Sequence, residues 1–102
     1  MGPDARAPSG DDLSMEPYHY AHLAGGTRRL LLFETLAAAL YTAILDVAEQ
    51  HAVPIGIRRG RTILYRHAQL VALHARFAEQ LAAGAHGPVC QALEEIAAAR
   101  CA

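Results

Sequence analysis

The feature that most restricts this chain is an apolar arc at helical spacing that runs from Thr27 to a stop at Pro54. Phe33, Leu36, Ala37, Leu40, Tyr41, Ile44, Val47, Ala48 and His51 share one side of a helix turning about 100° per residue. Thr35, Thr42, Asp46, Glu49 and Gln50 fall on the other side. Thr27 suits an N-cap, and the residue before a proline is steered away from helical backbone. The spacing therefore predicts a helix over about 27–52. Leu31 and Leu32 stray from the arc and widen the apolar surface at its start.

A loop holding Gly56 and Gly60 leads to a second segment of the same kind, Arg61–Gly84. His67 and His74 lie seven residues apart there, and seven helical steps return to within about 20° of the start. Ile63, Leu70, Val71, Phe77, Ala78 and Leu81 surround them, with Arg66, Gln69, Arg76, Glu79 and Gln80 opposite. Two imidazoles on such a face need partners: a carboxylate, a carbonyl, a water, a metal or each other. Pro88 suits the first turn of a third helix over about 88–100, with Val89, Leu93, Ile96 and Ala97 inward. Ser14 to Ala24 adds a short helix candidate, capped by Ser14 and stopped by Gly25-Gly26. No alternating pattern longer than a few residues and no internal repeat interrupts this reading. The expected fold is all-α: a small helical bundle built on an antiparallel helix hairpin (about 27–52 and 61–84) plus a short C-terminal helix.

Residues 1–12, rich in Pro, Gly, Ser and Asp, read as a disordered tail ahead of one helical domain over 13–102, with Met15 as an alternative start. Many inward positions are alanine, so the core is thin, and a chain of 102 residues buries only about 60–65% of its unfolded surface. Cys90 and Cys101, eleven residues apart, form no metal or redox motif, and on one helix they would sit roughly 16 Å apart. Reduced cysteines and the lack of an apolar leader within residues 1–26 point to a cytoplasmic protein. Leu30 to Ala48 is mostly apolar, but Glu34 and Asp46 cut the uncharged run to Thr35–Leu45, short of the ~20 residues a membrane helix needs. No membrane association is expected.

Three groups of residues could carry chemistry. His67 and His74 are candidate metal or haem ligands. A seven-residue gap spans about 10.5 Å, so each would need a second ligand from another helix or a symmetry mate. His19 and His22, spaced i, i+3 beside Tyr18 and Tyr20, would share one face of a helix and form a weak metal site. Arg58, Arg59 and Arg61, extended by Arg66, form a basic loop suited to anions or nucleic acid through guanidinium forks. A net charge of −1 argues against non-specific coating of nucleic acid, which needs a clearly basic face. No phosphate loop, Ser/His/Asp order or paired-carboxylate spacing indicates an enzyme. The leading expectation is a protein–protein interaction module, acting as a homodimer or as an accessory subunit of a larger complex. The alternatives are a metal- or haem-binding protein using the histidine pair, and a nucleic-acid-binding regulator working through the arginine loop.

Overall fold

A computed structural model describes residues 16–101 of the chain. The expected tail over residues 1–12, the Met15 start and the side chain of Cys101 lie outside the described residues. In chain order the elements are β1 (Tyr18–Ala24), β2 (Thr27–Phe33), α1 (Leu36–Ala48), β3 (Val53–Arg59), β4 (Thr62–Arg66), α2 (His67–Ala82) and α3 (His86–Cys101). The strands form one four-stranded antiparallel sheet in the order β2-β1-β3-β4. The protein is mixed α/β, which overturns the all-α helical bundle expected from the periodicity.

Glycine turns decide the matter. Gly25 and Gly26 take φ of +59° and +81°, and positive φ at both central residues is the hairpin turn whose twist matches the strands it joins. The segment Tyr18–Ala24 is thus a strand paired with Thr27–Phe33, and the helix expected over Ser14–Ala24 does not form. Gly60, at φ +59°, opens the second tight turn, so the presumed loop over 52–60 is mostly β3 and the start of the presumed histidine helix is β4. The long arc therefore supplies a strand and a shorter helix. Its cap is Thr35, whose hydroxyl accepts from the Ala38 amide at 3.2 Å, and not Thr27. The third helix forms as expected, with Val89, Leu93 and Ala97 buried and Ile96 partly so. No helix among the described residues is long and apolar enough to cross a membrane.

All three helices lie on one side of the sheet. From the sheet, Tyr18, Tyr20, Ile57 and Tyr65 point into the core. Opposite them stand Leu36, Ala39, Leu40, Ala43 and Ile44 of α1, Leu70, Phe77 and Leu81 of α2, and the three α3 residues. Side chains alternate along a strand, so each cross-strand row belongs to one face. The inner rows are Phe33–Tyr18–Arg59–Thr62, Leu31–Tyr20–Ile57–Tyr65 and Arg29–His22–Pro54. The outer rows are Leu32–His19–Arg58–Ile63, Leu30–Ala21–Gly56–Arg66 and Arg28–Leu23–Val53. Register shifts leave Ile55 and Leu64 as the extra residues of two bulges.

Helices α1 and α2 end in the same way with different residues. After α2, Gly84 takes φ +80°, and the amides of Gly84 and Ala85 bond to the carbonyls of Leu81 and Gln80. After α1, Gln50 takes φ +53°, and the amides of Gln50 and His51 bond to Val47 and Asp46. A side chain in the left-handed region carries a steric cost that glycine avoids. Gln50→Gly is therefore expected to stabilise the protein by about 0.5–1 kcal/mol, and Gly84→Ala to destabilise it by a similar amount, measured as urea midpoints.

Candidate functional site

The outer face of the sheet carries the exposed apolar surface. Leu23, Leu30, Leu32, Val53 and Ile63 are 40–59% exposed on three adjoining rows, although each is a residue type normally buried. Val71 of α2 adds a further exposed side chain and lines a groove with Leu23 and Val53. A shallow depression of about 420 Å³ on the face is bounded by His19, Leu30, Ile63 and the arginines Arg28, Arg58 and Arg66. Gly56 forms part of its floor, where a β-carbon would meet the Tyr65 carbonyl at 2.9 Å. The Nδ1 atom of His19 is buried there without a hydrogen-bond partner.

A second cleft, of about 640 Å³, opens at the β3–β4 end and holds Arg59, Arg61 and Arg100 with Glu16, Tyr18 and Thr62. Arg59 donates from Nε to the Glu16 carbonyl at 3.0 Å and from Nη1 to the Tyr18 hydroxyl at 3.1 Å, with its guanidinium 4.6 Å over the Tyr18 ring. Arg100 donates to the Leu64 carbonyl and lies 4.6 Å over the Tyr65 ring. Two of the three guanidinium groups are thus engaged in holding the sheet end to α3 and to the chain before β1. The Glu16 carboxylate has its Oε2 buried and unpartnered in the same cleft, which weakens it as an anion site.

The most enclosed polar cluster joins β1 to α1. Tyr20 donates its hydroxyl to Asp46 Oδ2 at 2.6 Å, and His22 Nδ1 lies 2.8 Å from the same oxygen. His22 and Asp46 are both buried. Burial, then the hydrogen bond to Asp46 and the charge of that carboxylate, push the Tyr20 hydroxyl well above the usual tyrosine range. None of the three clefts is lined by Tyr20, His22 or Asp46; the exposed His51, at the groove with Leu23 and Val53, has its Nδ1 3.9 Å from Asp46 Oδ1. The cluster works as a structural tie.

The structure scatters the residues singled out from the sequence. His67 is the first residue of α2 and exposed; its Nδ1 is 2.6 Å from the Pro54 carbonyl. His74 is half-buried two turns along the same helix. His19 and His22 share a strand, where i, i+3 spacing sends side chains to opposite faces, so they cannot act together. Among the described residues no group of three His, Cys, Asp or Glu side chains could hold a metal ion, so the single chain assembles no such group around His19, His22, His67 or His74. The arginine loop is divided by the same alternation. Arg58 lies on the outer face, while Arg59 and Arg61 line the cleft at the other side. Spacing missed Arg28, Leu30, Leu32 and Ile63 as one surface and Asp46 as a buried partner; the available signal was Gly25-Gly26 between two seven-residue segments. Comparison with protein-family models, with curated proteins and with solved structures finds no match to this chain.

Two outcomes follow for the cluster. Asp46→Ala leaves the Tyr20 hydroxyl and the His22 imidazole buried without an acceptor, and is expected to cost about 2–4 kcal/mol in urea unfolding. A raised tyrosine pKa contributes stability that is complete below the unfolded value of about 10 and is lost as pH rises beyond it. The wild-type unfolding free energy should fall by up to about 1.4 kcal/mol per pH unit above pH ~10 from this group, and Tyr20→Phe should flatten that limb.

Proposed function

We propose that the protein is a docking module for another polypeptide chain and that the outer face of its sheet is the docking surface. The carrying observation is the set of large apolar side chains, Leu23, Leu30, Leu32, Val53 and Ile63, left exposed on adjoining rows of one face. A four-stranded sheet with helices on one side only normally presents polar residues to water on the other. Here the exposed side carries large apolar residues on both edge strands, Leu30 and Leu32 on β2 and Ile63 on β4, and burying them against a partner is favourable at roughly 25 cal/mol per Å². The enclosed cluster, lined by none of the clefts, and the engaged arginines of the larger cleft give an enzyme reading no comparable support.

A photo-crosslinking amino acid placed at Leu32 is expected to give a discrete adduct in cells, and the Leu30→Ser/Ile63→Ser variant should abolish it. The same probe at the exposed Gln80 of α2 should give none. Each serine substitution should cost no more than about 1 kcal/mol of folding stability, because Leu30 and Ile63 are each 51% exposed in the single chain. Equal labelling at Leu32 and Gln80, or no adduct from a folded protein, would contradict the proposal.

A further inference from the structure

We infer that the occupant of the outer face is an acidic, apolar segment of a partner protein, in which carboxylate side chains flank large aliphatic ones. This occupant presupposes the docking role of the face proposed above. The charges on the face all have one sign. Arg28, Arg58 and Arg66 stand on its three rows together with His19, and no Asp or Glu occupies any position of those rows. The nearest acidic residue along the chain, Glu34, comes after the last β2 position. Leu30 and Leu32 stand on the edge strand β2 and Ile63 on the edge strand β4, with Arg58 on β3 between them and Arg28 and Arg66 on the neighbouring rows, so a segment laid across the strands would meet aliphatic side chains and guanidinium forks in turn.

Two other occupants fit less well. A second copy seated face to face would set these arginines against one another, and like charges across an interface are costly. A single-stranded nucleic acid would find arginines for its phosphates, but the aromatic side chains of the strands, Tyr18, Tyr20, Phe33 and Tyr65, all belong to the inner rows. Base stacking would be left with the His19 imidazole alone.

The test uses the full chain and a fluorescein-labelled peptide of alternating Glu and Leu, about eight residues long, read by fluorescence anisotropy. Binding is expected to weaken about tenfold between low and high salt, and by at least about tenfold in Arg28→Gln/Arg58→Gln. The exposed Arg76→Gln on α2 should leave it unchanged, with circular dichroism confirming that both variants fold. Equal binding of the analogue with Arg in place of Glu would overturn the acidic occupant and leave the docking face standing. Self-association lost in Leu30→Ser/Ile63→Ser would overturn it in favour of a second copy. Tighter, Arg58-dependent binding of an oligothymidine would overturn it in favour of nucleic acid. Binding of neither peptide up to about 1 mM would overturn it too, and coupled with absence of a Leu32 photo-adduct would take the docking proposal down as well.

Discussion

The packing of α1 on the inner face of the sheet is the contact from which the other elements take their places. Leu40 and Ile44 of α1 are fully buried, as are Tyr20 and Ile57 of the strands beneath. The same helix touches α2 and α3 on its other sides, so it forms the centre of the helical layer. One buried carboxylate at its C-terminal end, Asp46, accepts the Tyr20 hydroxyl and engages His22, fixing how α1 sits along β1. A buried polar group of this kind adds little net stability but penalises any packing that leaves it unpaired.

That one-sided arrangement has a consequence for the rest of the surface. With α1, α2 and α3 all on the inner rows, the outer rows have no element of the described chain to cover them. Natural sheets exposed to water normally carry polar residues there, and β2 instead places Leu30 and Leu32 on that face, with Ile63 from β4 across the sheet. The basic residues that accompany them, Arg28, Arg58 and Arg66, give the patch a positive sign.

The apolar outer face also explains which parts of the fold were legible in the sequence. The last helix, its inward Val89, Leu93 and Ala97, the stop at Gly84 and the break before Pro54 all follow from local chemistry. The strands did not follow. A half-exposed strand is recognised by alternating apolar and polar residues, but Leu30-Leu31-Leu32-Phe33 and Ile63-Leu64-Tyr65 are apolar toward both faces. Without alternation such runs match a helical arc equally well, and the arc from Leu36 to Ala48 extended naturally into β2. The apolar character of this face therefore conceals the strands that build it. The histidine pair does share α2, but His67 at its first position is exposed while His74 is half-buried two turns on, so the common spacing does not place both in the core.

The claim that the outer face is covered in the working state is tested most directly by hydroxyl-radical footprinting of the protein inside cells and after purification. Leu30, Leu32 and Ile63 should be strongly labelled in the purified single chain and protected in cells, while the exposed Arg76 on α2 changes less. Equal labelling of all four residues in both conditions would contradict the account.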